Sequence, residues 1–103
     1  MTHEQTGLPP KAISEIQRVL SENPEVDQAI LYGSRALGTY RPNSDIDLTL
    51  VGDHISLSQL LSIENEIDDL LLPYKVDLSV KSNIDNSDLL KHIEKFGKVF
   101  YQR

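Results

Sequence analysis

Apolar and polar residues alternate along two short stretches of this chain and recur at helical spacing along three longer ones. Ile46, Leu48 and Leu50 alternate with Asp45, Asp47, Thr49 and Val51, which predicts a strand over 45–51 with its apolar side inward. Val76, Leu78 and Val80 alternate with Asp77 and Ser79, which predicts a second such strand over 75–80. The run from Val26 to Tyr32 is largely apolar and reads as a central strand. Ile13, Ile16 and Leu20 mark one face of a helix that starts at Pro9-Pro10 and stops at Asn23-Pro24. Leu60, Ile63, Ile67, Leu70 and Leu71 give the buried face of the next helix. Ser56 and Gln59 form a capping box at its start, and Pro73 stops it. Leu89, Leu90, Ile93 and Phe96 give the inward face of the last helix, capped by Asp85 or Asn86 and stopped at Gly97. Val99-Phe100-Tyr101 is left as a short edge strand or a docking tail.

The order is helix, strand, helical turn, strand, helix, strand, helix. It predicts an α+β, two-layer fold: one domain over 1–103, with a small mixed sheet and helices packed on one face. The other face carries the aspartates. A three-layer parallel sandwich is excluded, because its strands are apolar on both faces. Residues 1–8 read as a loose polar lead.

Between the first two strands lies the chemistry. Gly33-Ser34-Arg35-Ala36-Leu37-Gly38 makes a sharp turn into a helical turn, and a loop holding Arg41-Pro42-Asn43 leads to Ser44-Asp45-Ile46-Asp47. Asp45 and Asp47 leave the same side of a strand with Cα atoms roughly 6–7 Å apart. Carboxylates that close repel unless a cation, a proton or water intervenes. If the strand of Asp77 is a neighbour, three carboxylates converge. Such a set can hold two Mg²⁺ ions and orient an attacking hydroxyl for in-line displacement at phosphorus. Gly33 and Gly38 have P-loop spacing, but Thr39 and Tyr40 stand where Lys and Ser/Thr are required, and G-x-G-x-x-G is absent.

Composition narrows the partners. The chain has 103 residues, no cysteine, and ten Lys+Arg against sixteen Asp+Glu, for a net charge of −6. That excludes a disulfide framework and a zinc-thiolate site. It argues against stable nucleic-acid binding, which needs clustered cations. Neither a signal peptide nor a membrane span is legible, so a cytoplasmic location is expected. His3, His54 and His92 are too scattered for a metal cluster and receive no role.

Together, Gly33-Ser34, Ser44-Asp45-Ile46-Asp47-Leu48 and Val76-Asp77-Leu78 resemble the minimal nucleotidyltransferase family of the DNA polymerase β-like superfamily. The family pattern is Gly-Ser, about ten residues, D-x-D, then a third acid on a later strand. The resemblance implies the polymerase β-like fold and transfer of a nucleoside monophosphate, AMP from ATP, with release of pyrophosphate. It makes Asp45, Asp47 and Asp77 the catalytic metal ligands, and Gly33 and Ser34 the contacts to the β- and γ-phosphates. Arg35 is placed with them as nucleotide-binding, against a second reading as a solvated cation. Arg41 reads as solvated, Ser44 as bonding its own loop, and Tyr40 as packed on the scaffold or stacked on a base. Small stand-alone members resemble antitoxins paired with a HEPN-type helical partner, so a hetero-oligomer is implied in which the partner's hydroxyl is the acceptor. Two alternatives stay open: transfer to a small molecule such as an antibiotic, and a non-catalytic antitoxin that works by binding.

Overall fold

The structure, a computed structural model, describes residues 3–103. Its elements in chain order are α1 (His3–Thr6), α2 (Pro10–Ser21), β1 (Gln28–Tyr32), α3 (Ser34–Leu37), β2 (Ile46–Val51), α4 (Leu57–Asp68), β3 (Val76–Val80), a 3₁₀ turn (Lys81–Asn83), α5 (Ser87–Phe96) and β4 (Lys98–Gln102). The strands form one mixed sheet in the order β3-β2-β1-β4. β1 pairs antiparallel with β2 and with β4, while β2 and β3 run parallel. The α+β architecture and the mixed sheet are as the pattern predicts. No helix among the described residues is long and apolar enough to cross a membrane.

Alternation sets the inner face. Ala29 and Leu31 of β1, Ile46, Leu48 and Leu50 of β2, and Leu78 of β3 all enter one core. Ile13, Ile16 and Leu20 of α2 and Ile63 and Ile67 of α4 cover it. Each fully buried side chain of this size contributes about 1.5–3 kcal/mol relative to exposure. Pro10 opens α2 at a position whose N–H would have no helical partner anyway. The capping box at α4 forms as predicted: Gln59 N–H donates to Ser56 Oγ at 3.1 Å, and Ser56 N–H donates to Gln59 Oε1 at 2.8 Å. Asn86, rather than Asp85, caps α5, with Oδ1 accepting from the Asp88 and Leu89 amides.

Four features depart from the sequence reading. First, α5 does not join the other helices. It packs against β1 and brings His92 onto Tyr32, whose side chain shares the aspartate face. The helices therefore do not all lie on one face. The sheet is narrow, and Ile30 and Tyr32 leave an apolar strip beside the acids on which α5 packs, with His92 against Tyr32. Phe96, expected inward, is 41% exposed and tilts against the His92 ring. Second, residues 3–8 are not a loose lead: Thr6 and Leu8 are fully buried, and the Thr6 carbonyl accepts from Arg35. Met1 and Thr2 lie outside the described residues. Third, β4 is the edge strand that the sequence reading offered beside a docking tail, but its register is irregular, since Tyr101 faces Ala29 while Val99 faces Ile30. The intervening Phe100 turns into the core, and Gln17 Nε2 donates to its carbonyl at 2.8 Å. That cap and the bulge blunt the open edge.

Fourth, α4 ends at Asp68, before Pro73, and Leu71 is 87% exposed instead of buried. Leu71 has φ 56°, a left-handed conformation that costs an L-residue with a Cβ roughly 1–2 kcal/mol. Leu71→Gly is expected to stabilise the protein by about 0.5 kcal/mol, because relief of strain exceeds the added freedom of the unfolded chain. Urea unfolding with an upward shift in midpoint and an unchanged slope checks this.

Candidate active site

The parallel pairing of β2 with β3 decides what the acids can do together. Asp47 pairs with Asp77, and Thr49 with Ser79. Across the other edge of β2, Tyr32 pairs with Asp47. Tyr32, Asp47 and Asp77 thus form one row across three strands, about 5 Å apart at the backbone. Asp45 stands just before β2, two residues from Asp47 and on the same side by alternation. Asp45 and Asp77 are exposed, whereas Asp47 is half-buried.

The electrostatics follow from that packing. Burial pushes the Asp47 carboxyl above its ordinary value, and the neighbouring Asp77 and Asp45 carboxylates push it further, against an opposing effect of His92. The ion pairs found among the described residues, Lys11–Glu15 and Arg18–Glu22, both lie along α2 and leave these acids without a fixed cation. Burial also raises the Tyr32 phenol. Its hydrogen bond with Ser79 opposes this, and Asp47 and Asp77 add to it. Ser79 Oγ in turn donates to the buried Thr49 Oγ1 at 2.9 Å, so a pair of hydroxyls lies beside the acid row, two residues further along the same strands.

Among the described residues, no three of His, Cys, Asp and Glu stand close enough to form a ready-made metal cage. The donor chemistry nonetheless fits a hard divalent cation: oxygen ligands only, mutually repelling, and open to solvent on one side. A cation between them would remove the repulsion that raises Asp47.

The turn after β1 lies directly over the row. Gly33 has φ 75° and ψ −157°. A Cβ added there would collide with the Asp47 carboxylate, so glycine is required both by conformation and by the carboxylate beneath it. The Gly33 carbonyl accepts from the Ala36 and Leu37 amides, which starts α3 at Ser34. Gly38, at φ 81°, ends it. Ser34 is therefore held half-buried at the front of the turn, beside Asp47's strand.

Arg35 is 1% exposed, so it is not the solvated cation of the second reading, and its donors are turned to backbone carbonyls. Nε and Nη2 donate to the Ser44 carbonyl at 3.1 and 3.0 Å, and Nη1 donates to the Thr6 carbonyl at 2.8 Å. The Tyr40 and Tyr74 rings lie 5.2 and 5.0 Å from its guanidinium carbon. Arg35 thus ties the loop that delivers Asp45 to the N-terminal segment. Tyr40 packs on this cation, not on an open face, and Ser44 Oγ accepts from the Arg41 amide at 2.7 Å, as its loop position suggests. His92, given no role from the sequence, enters the site: Gly33 N–H donates to its Nε2 at 3.1 Å. Helical spacing put Ile93 inward, and nothing in the sequence marks the neighbouring ring as reaching a turn fifty-nine positions away.

The sequence profile described as "Polymerase beta, Nucleotidyltransferase" matches residues 14–103. No curated protein matches the chain. Among solved structures, the fold is similar to a chain of a toxin–antitoxin crystallised with AMP-PNP, at 24% identity and a TM-score of 0.72, covering 88% of this chain and 73% of that one. A structure of the tri-AMPylated Shewanella oneidensis HEPN toxin in complex with MNT antitoxin matches at 19% identity and a TM-score of 0.67, covering 90% of this chain and 71% of that one. The toxin–antitoxin MntA-HepT matches at 20% identity and a TM-score of 0.68, covering 92% and 74%. These likenesses share the fold, and the profile spans nearly the whole chain. With the acid row and the Gly33-Ser34 turn in place, the chain belongs to the polymerase β nucleotidyltransferase family.

Proposed function

We propose that this protein transfers AMP from ATP to a hydroxyl of a HEPN-type partner protein, as the antitoxin of a toxin–antitoxin pair. The observation that carries the reading is the in-register row of Asp47 and Asp77, with Asp45 beside it and the Gly33-Ser34 turn above, on the part of the sheet face that α5 leaves open. The similarity to toxin–antitoxin structures, one with AMP-PNP and one with an AMPylated toxin, supports the choice of nucleotide and acceptor.

In this reading Asp45, Asp47 and Asp77 hold Mg²⁺. A metal held there would supply charge neutralisation for the triphosphate and Lewis-acid polarisation at phosphorus. The chain's own part is placement. The Ser34 hydroxyl donates to a phosphate oxygen at the front of α3. Asp47, fixed between Tyr32 and Asp77, sets the distance between nucleotide and sheet. Asp77 is exposed on an edge strand and faces the open side, where it accepts the proton of the incoming hydroxyl. The oxygen of that hydroxyl bonds to the α-phosphorus as the α–β bridging bond breaks, and pyrophosphate leaves. Such alignment supplies a large part of the rate enhancement without covalent help from the protein. The open face suits an acceptor brought by a second chain, since nothing among the described residues encloses one.

Incubation with a candidate HEPN partner, ATP and Mg²⁺, followed by intact mass measurement, is expected to show one or more AMP adducts on the partner, absent with EDTA. An unmodified but inactivated partner would replace the transfer reading with neutralisation by binding. Pyrophosphate release with a small hydroxylated acceptor and no partner would replace it with small-molecule transfer.

A further inference from the structure

We propose that His92 is a positioning residue, whose Nε2 latches the Gly33 amide and thereby fixes the turn over Asp47 from which Ser34 opens α3. The inference rests on the nucleotidyl-transfer reading above and adds a residue from the last helix to that site.

Gly33 sits in a region of backbone space open almost only to glycine. Glycine has the most conformational freedom to lose, so a turn built on it needs an outside restraint to hold one geometry. The carboxylate of Asp47 blocks the turn from below. The latch from above is the 3.1 Å hydrogen bond to His92. The imidazole is itself held, edge-on to Tyr32 at 6.3 Å between centroids and tilted against Phe96 at 5.4 Å. Tyr32 immediately precedes Gly33, so one ring of α5 contacts both residues at the mouth of the turn.

The geometry also says what His92 does not do. An Nε2 that accepts from the Gly33 amide presents its lone pair there. That lone pair is occupied and cannot take the proton of an acceptor hydroxyl. General-base work stays with the carboxylates. Equally, the Gly33 amide is already engaged and is not a free phosphate donor. The phosphate-facing donor that the latch fixes is the Ser34 hydroxyl.

The test compares His92→Leu, which keeps apolar bulk and loses the acceptor, with His92→Gln, whose Oε1 reaches the place of Nε2. Both are made in the full chain. Hydrogen exchange of the Gly33 amide, followed by NMR, reads the latch without any activity. Calorimetry with AMP-PNP and Mg²⁺ reads its consequence. His92→Leu is expected to speed exchange at Gly33 and to weaken AMP-PNP binding about tenfold, one hydrogen bond's worth. In the transfer assay that loss falls on KM for ATP and leaves kcat within about twofold. His92→Gln is expected to restore both exchange and affinity. Unchanged affinity in His92→Leu, no rescue by His92→Gln at equal stability, or a loss confined to kcat overturns the role assigned to His92. Failure of the wild-type chain to bind AMP-PNP instead overturns the nucleotidyl-transfer reading. In that case Gly33 exchange alone still shows whether the latch exists.

Discussion

Asp47→Asn is expected to abolish nucleotidyl transfer and at the same time to make the fold more stable at neutral pH. The two effects share one cause. Asp47 is half-buried between Tyr32 and Asp77, with Asp45 two residues away, and burial and then these two carboxylates disfavour its ionised form. The folded state therefore carries a penalty that the unfolded chain does not. Asparagine has nearly the same shape, fits beneath Gly33 and removes the charge. After allowance for solvent screening at a half-exposed site, the gain is about 0.5 kcal/mol. For a chain of this size that corresponds to a rise in Tm of roughly 2–4 °C.

The pH dependence has a definite sign. A carboxyl raised in the folded state costs nothing below the ordinary carboxylate value of about 3.9, where both states are protonated. The cost sets in as pH rises through the higher, folded value of Asp47. The stability advantage of Asp47→Asn should therefore be full at pH 7 and shrink toward zero as the pH is lowered through that window. Transfer should fall at least about a thousandfold, since a preorganised charge at the centre of the site is lost. Mg²⁺ should raise the Tm of the wild type, by binding only the folded form, and leave that of Asp47→Asn nearly unmoved. Thermal melts over a pH series, with and without Mg²⁺, beside the partner-modification assay, read all four effects. An Asp47→Asn protein that is less stable at pH 7, or one that still modifies the partner, contradicts this account of the site.

The acid row shows how far periodicity reaches. Alternation in 45–51 and 75–80 placed Asp47 and Asp77 opposite the apolar side of their strands, and each strand could be read alone. It did not establish that the two strands are parallel neighbours in register, which is a property of the connection through α4 and of the shared core. The same limit explains α5. Helical spacing identified Ile93 as inward, but not which surface it would meet. Ile30 and Tyr32 form an apolar strip only once β1 is set beside β2, and α5 covers that strip. His92 reaches the site as a result of that docking. Leu71 failed for a different reason: it continues the helical period of Leu60, Ile63 and Ile67 past the point where the backbone leaves the helix. Ser56 with Gln59, by contrast, is a contact between near neighbours in sequence, and it was legible in full.

Arg35 marks the largest gap between sequence and structure, and its removal is expected to be the most destabilising single change. A charged residue between a turn and a loop reads as reaching a phosphate or solvent, because ionised groups are costly to bury. Here the cost is offset without any carboxylate partner: among the described residues, the guanidinium is satisfied by the carbonyls of Thr6, Ser44 and Pro42 and by two tyrosine faces. Arg35→Ala leaves buried carbonyls without donors, each worth about 1–3 kcal/mol, and a void between Tyr40 and Tyr74. A loss of about 4 kcal/mol is expected, a large share of the 5–15 kcal/mol typical of a domain. Arg35→Lys keeps the charge but replaces a planar fork with a single point of donors, which cannot bridge Thr6 and Ser44 together, and should lose about 2 kcal/mol. Both variants release residues 3–8 and the loop before Asp45, so protease cleavage in that segment should speed up before global unfolding does. Urea unfolding orders the three proteins as wild type, Arg35→Lys, Arg35→Ala, and a lysine variant within 0.5 kcal/mol of wild type would show that charge alone, not the forked geometry, holds the loop. The distinction bears on catalysis because the Ser44 carbonyl that Arg35 grips is one residue before Asp45. A loosened loop should weaken Mg²⁺ binding in Arg35→Lys even under conditions where the protein is fully folded.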